Sequence, residues 1–171
     1  MRPLLLLLPI LLISACGDKK PAAAKPPVKN VYYPYSPEYT SEYGNGNPEH
    51  TLAVLNVWRA FERGVMSPVR RYFADSILVG FPDGTVFKGN TDSVLALWQK
   101  RRNSWSHVES FTDSWMPVQA KDKGEDLVLI WARQLRTDHQ GRQTWEALHE
   151  VWRMDTAGRI KFMQQYNSHV Y

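Results

Sequence analysis

The stretch Gln143-Thr144-Trp145-Glu146-Ala147-Leu148-His149-Glu150-Val151-Trp152-Arg153-Met154, with Asp155-Thr156-Ala157-Gly158-Arg159-Ile160 after it, decides how the chain is read. Strand side chains point alternately to the two faces. Glu146, Leu148, Glu150, Trp152 and Met154 therefore share one face, and Trp145, Ala147, His149, Val151 and Arg153 the other. Ala157-Gly158 is a turn, and 159–169 returns as a second extended run. Towards the N-terminus, Gln140-Gly141 and Lys123-Gly124 mark off two more runs, 126–137 and 107–119. Runs of this length form a curved antiparallel sheet.

Upstream the period changes. Asn47-Pro48-Glu49 is a helix start, Val54, Val57, Trp58, Phe61 and Val65 recur at helical spacing, and Gly64 ends the helix. Ser67-Pro68 opens a short second helix with Val69, Tyr72 and Phe73 inward. Ile77 to Phe81 reads as a strand, Asp83-Gly84 as its turn, and Thr85 to Phe87 as the strand pairing back. Asn90 or Thr91 caps a third helix whose inward stripe is Val94, Leu97, Trp98 and Arg101. Helix, helix, hairpin, helix and four strands predict an α+β sandwich with the helices on one face of the sheet.

That order, with Phe73-Ala74-Asp75-Ser76 entering a strand, Gly89 leading into a helix and Asp155 to Ile160 joining the last strands, resembles the NTF2-like superfamily over residues 49–169. SnoaL-like and ketosteroid-isomerase-like proteins belong to it. The resemblance implies a cone, with a curved sheet wrapped around N-terminal helices and a pocket at its open end. Activity does not follow from fold: isomerases, cyclases, dehydratases, binding proteins and assembly scaffolds share this one. Ketosteroid isomerases use a carboxylate base, a tyrosine and a second acid. Carried over, the base position is Phe81, the tyrosine position falls near Val57, and the second acid is Glu150. Two of three groups are missing, so the resemblance does not imply that activity. It does imply a homodimer through the outer sheet face, as in many members.

The family parity turns the Glu150 face inward. Two readings of Glu150 are open: an acid or base with a raised pKa on an apolar wall, or an ion pair with Arg133 on the neighbouring strand. Trp58, Phe81, Trp98, Trp131, Trp152 and Met163 are placed to line an aromatic pocket for a flat or apolar ligand, with Glu150, Gln165 and Asn167 as its polar contacts. An open cavity with Glu150 and Asn167 converging on it would support an enzyme. A cavity without convergent polar groups would support binding, and a filled cone a scaffold.

Other chemistries find no motif. His149-Glu150-Val151-Trp152-Arg153 imitates a zinc-protease helix, but its last residue is arginine, and on a strand positions four apart are about 13 Å distant. His50, His107, His139 and His169 have no ligand spacing. No metal or cofactor is expected. The net charge of +4 is spread along the chain, and the one basic run of the domain, Lys100-Arg101-Arg102, lies where a helix should end and cations are favoured. A nucleic-acid partner is not expected.

The N-terminus sets the expected location. Arg2 precedes Leu4 to Leu8 and Ile10 to Ile13, a run shorter than the about 20 apolar residues that span a bilayer. These are the parts of a secretory signal. Leu12-Ile13-Ser14-Ala15-Cys16-Gly17 resembles the lipobox of bacterial lipoproteins, whose cysteine is acylated after cleavage. Residues 1–15 are then a signal peptide, 16–47 an acylated, Pro/Lys/Tyr-rich disordered tether, and 48–171 the domain. Cys16 is the only cysteine, so no disulfide supports the fold. Gly17 in place of aspartate implies the outer membrane, facing the periplasm. The expected function is that of a membrane-tethered, extracytoplasmic, non-catalytic module binding a small apolar molecule or an envelope protein. A SnoaL-like enzyme using Glu150, or an assembly scaffold, is the alternative.

Overall fold

The computed structural model describes residues 31–169, so Cys16 and the signal-like segment lie outside the described residues. The compact unit that carries the fold is Ser36–Tyr171. Its elements are β1 (Tyr43–Asn45), α1 (Pro48–Arg63), a 3₁₀ helix (Ser67–Tyr72), β2 (Phe73–Gly80), β3 (Val86–Asn90), α2 (Thr91–Arg102), β4 (His107–Ala120), β5 (Glu125–Thr137), β6 (Gln143–Met154) and β7 (Ile160–His169). They build one curved, unclosed sheet in the order β1-β4-β5-β6-β7-β2-β3. Every pairing is antiparallel except β2 with β7.

Each helix begins and ends where its local chemistry requires. The Asn47 side chain accepts from Glu49 N at 2.9 Å, Pro48 occupies the first turn where no N–H is missed, and Gly64 takes the left-handed conformation (φ 73°) that closes α1. Val65 lies beyond that cap and is exposed, so it leaves the predicted stripe. Asn90 caps α2 by accepting from Ser93 N at 2.8 Å. The buried side of α2 is Thr91, Val94, Leu95, Trp98 and Arg102, rotated from the predicted Leu97 and Arg101, which are only partly covered. Arg102 turns inward because the end of α1 leaves carbonyls without helical partners: its guanidinium donates to Phe61 O at 2.7 Å and Glu62 O at 2.9 Å.

The folded unit starts earlier than residue 48. Tyr43 pairs with Ala120 and Asn45 with Val118, and the Tyr39 hydroxyl donates to Glu125 while its ring lies 4.6 Å from the Arg153 guanidinium. Tyr39 belongs to a small cluster with Val118, Ala120 and Leu127 on the outer sheet face. Gly46 permits this docking, since a Cβ there would come within 2.6 Å of Val118 N. Among the described residues no helix is long and apolar enough to cross a membrane.

The main core lies inside the curve. Val54, Val57 and Trp58 of α1 and Val94 and Trp98 of α2 pack on Ile77 and Val79 of β2, Val128, Ile130 and Ala132 of β5, and Leu148 and Trp152 of β6. Trp98 meets Phe73 and Trp152 edge to face, with centroids 5.7 and 5.9 Å away. The sheet bends at irregularities between Thr112 and Ser114 of β4 and between Arg153 and Met154 of β6.

Candidate functional site

The core does not fill the cone. A cavity of about 510 Å³ remains at one end, walled by Val57, Trp58, Phe61 and Met66 on the α1 side, Phe81 after β2, Trp98 of α2, and Leu148, Trp152 and Met163 of the sheet. This volume lies within the about 300–1,000 Å³ typical of small-molecule sites.

Glu150 forms the polar floor. It is 4% exposed, and β6 aims it inward in register with Ile130 of β5 and Gln165 of β7. Its Oε2 accepts from Trp58 Nε1 at 2.8 Å and from Trp152 Nε1 at 2.9 Å, while Oε1 accepts from Gln165 Nε2 at 2.7 Å. Burial pushes the Glu150 pKa up, and these three donors and the Arg136 charge offset only part of the rise. A carboxylate has about four lone-pair positions, so Oε1 retains one for a proton or a ligand.

A second polar tier stands nearer the rim. Arg136 Nη1 lies 2.9 Å from Glu146 Oε2, and Arg136 Nε donates to Gln134 Oε1 at 2.7 Å. Asn167 Nδ2 lies 3.4 Å from the same Glu146 oxygen. Glu146 is four residues from Glu150 on one strand, about 13 Å along it, so the two carboxylates do not act as a pair. Arg101 projects from α2 at the mouth, its guanidinium 3.7 Å from the centre of the Phe81 ring.

The structure brings Trp58, Phe81, Trp98, Glu150, Trp152, Met163, Gln165 and Asn167 to this cavity. It does not bring Trp131. The inward residues of β5 are Val128, Ile130, Ala132 and Gln134, so Trp131 points to the outer face. There it stacks on His149 at 4.7 Å, and His149 stacks on Tyr166 at 5.8 Å. The same parity removes Arg133 as a partner of Glu150: it pairs with Asp113 at 3.2 Å on the outer face. Val57 and Phe81 both line the cavity as apolar wall.

Arg101, Trp105, Gln134, Arg136 and Glu146 also line the site; the sequence reading turns Arg101 and Glu146 inward but names none of the five as a pocket residue. Glu146 was visible in principle, since it alternates in phase with Glu150. Gln134 and Arg136 follow only once β5 is in register with β6. No group of three or more His, Cys, Asp or Glu among the described residues could hold a metal ion.

No family model matches the sequence, and no curated protein matches it. Solved structures do. An NTF2-like protein of unknown function from Exiguobacterium sp. 255-15 superposes with a TM-score of 0.57 over 69% of this chain and 99% of its own, at 10% identity. The fold is NTF2-like. The same NTF2-like frame is shared with AusH from Aspergillus nidulans, at TM-score 0.57 and 14% identity over 75% of this chain and 89% of that one. SalBIII, described as an epoxide hydrolase/cyclase-like enzyme in pyran ring formation in the polyether salinomycin, matches at TM-score 0.54 and 16% identity over 72% and 97%. Identities this low carry the NTF2-like architecture alone, and the chemistry has to be argued from the cavity.

Proposed function

We propose that this chain binds a small, mostly apolar organic molecule inside the NTF2-like cone, and that the observation carrying this reading is the open, aromatic-walled cavity with Glu150 at its floor. A scaffold would be expected to fill the cone. The polar groups stand in two tiers, Glu150 with Gln165 below and Glu146 with Arg136 and Asn167 above. Glu150 and Asn167 both line the cavity, but Asn167 bonds Glu146 in the upper tier and not Glu150, so the two orient a ligand at separate points without converging on one reacting atom, which favours binding over catalysis. Native mass spectrometry of the full chain, purified from the cells that produce it, should show a retained small molecule released on unfolding. An empty protein that also fails to bind flat apolar probes would sink this reading.

The buried Glu150, its pKa raised by burial, favours catalysis as the second reading, because a carboxyl so raised keeps its proton to higher pH than an ordinary one and can donate it as a general acid. SalBIII shows that a cyclase-like activity can live on this fold. Under this reading Glu150→Gln binds the retained molecule but ceases to convert it. Unchanged conversion by the variant would leave binding as the function.

We further propose, on the sequence Leu12 to Gly17, that Cys16 carries the lipid that holds the cone at a membrane outside the cytoplasm. In cells fed labelled palmitate the chain should take up label and sediment with membranes. A Cys16→Ser variant that did both equally well would remove the anchor.

A further inference from the structure

Resting on the binding reading and narrowing it, we propose that the ligand is an amphipathic carboxylic acid whose carboxylate is held at the cavity mouth by Arg101 and Arg136 while its apolar body lies against the aromatic walls below.

Two guanidiniums line this cavity, and the Arg136 pKa is lowered by burial first and by the Arg101 charge as a lesser cause. Their existing partners differ. Arg136, whose side chain is only 15% exposed, is answered by Glu146 at 2.9 Å and Gln134 at 2.7 Å, and its Nη2 group makes no hydrogen bond among the described residues. Arg101 has one acidic neighbour, Asp83 Oδ2 at 3.9 Å. Asp83 is 61% exposed and its other oxygen is committed to the turn, accepting from Thr85 N at 2.9 Å. An exposed pair so long is a weak one. Arg101 is thus a cation without a close counter-charge. Its guanidinium carbon lies 3.7 Å over the Phe81 ring, a wall of the cavity, so the fork is pre-positioned at the opening.

The count of charges sets the ligand class. Glu146 answers Arg136, Glu150 at the floor is taken up by Trp58, Trp152 and Gln165, and Arg101 remains. One unanswered cation calls for one negative charge, and a planar two-oxygen anion matches a guanidinium fork bidentately. Below it Trp58, Trp98 and Trp152 offer apolar surface that would desolvate a chain or ring but not a second charge.

Isothermal titration of the full chain at neutral pH with 2-naphthylacetate and with 2-naphthaleneethanol, which replaces the carboxylate by a hydroxyl, tests this. The acid should bind about tenfold or more tightly than the alcohol, the usual advantage of a hydrogen-bonded charge. Arg101→Met should bring the acid down to the alcohol's affinity and leave the alcohol within about twofold, and Arg101→Lys should keep part of the acid's advantage, since it retains charge without the fork. Equal affinity of acid and alcohol for the unaltered chain, or an equal loss of both in Arg101→Met, overturns the proposal and leaves the pocket reading standing. Binding of neither probe, together with an empty purified protein, overturns both.

Discussion

Arg102→Met should lower the melting temperature of the chain by about 10 °C or more, the consequence of losing about 3–5 kcal/mol. Arg102 is 9% exposed and has no acidic partner among the described residues. Its guanidinium instead donates to Phe61 O at 2.7 Å, to Glu62 O at 2.9 Å and to Trp105 O at 2.7 Å. These carbonyls belong to the end of α1 and to the turn between α2 and β4, so one side chain on α2 ties three segments together. Methionine fills much of the same volume and supplies no donor, which leaves three partly buried acceptors to find water or move. Arg102→Lys should fall between, because an ammonium at one point cannot reach carbonyls spread across the fork. Thermal denaturation followed by far-UV circular dichroism reads the effect. A shift within about 2 °C for the methionine variant would mean that water replaces the guanidinium at little cost.

Arg102 also marks where sequence reading reaches its limit. The spacing of apolar residues on α2 places Arg101 inward and leaves Arg102 off the stripe, because periodicity reads one helix's own sequence and not what faces it. Only the neighbouring end of α1, 40 residues earlier, makes the inward turn favourable. By contrast the long strands were legible. Gly124, Gly141 and Gly158 all take positive φ in the turns between them, and the ends of β4 to β7 lie within one residue of the expected boundaries. β1 was illegible for the opposite reason: Tyr43-Gly44-Asn45 is too short to show alternation and joins the sheet only by pairing with β4.

Within the site, one register decided most of the outcome. The alternation of β6 puts Leu148, Glu150 and Trp152 on one face, and the family parity turns that face inward, where the structure buries all three. The parity of β5 depends on its pairing with β6, where Ile130 faces Glu150. A one-residue error there exchanges Trp131 and Arg133 for Ile130, Ala132 and Gln134, and the true rim of the cavity disappears with it.

Glu150 is where the opposite fates of two substitutions are most informative. Glu150→Leu should destabilise the chain by about 3–5 kcal/mol, since the Trp58 and Trp152 indoles and the Gln165 amide each lose a buried acceptor. Glu150→Gln should fold well. Its carbonyl can take the place of Oε2 and accept both indoles, and its amide can face Gln165, whose own amide turns over to present oxygen. The pH dependence then identifies the charge state. A carboxyl raised in the fold above its ordinary value of 4.5 contributes stability that is fully present below that value and is lost as pH rises through the folded-state pKa. The glutamine variant has no such component. Denaturant unfolding of both proteins from about pH 4 to about pH 9 should therefore show the variant gaining on the parent as pH rises and then levelling off. A flat difference, or one that favours the parent at high pH, would mean that three N–H donors outweigh burial and that Glu150 stays ionised. In that case it could not serve as the neutral floor of the cavity, and an acid ligand would meet a second negative charge there.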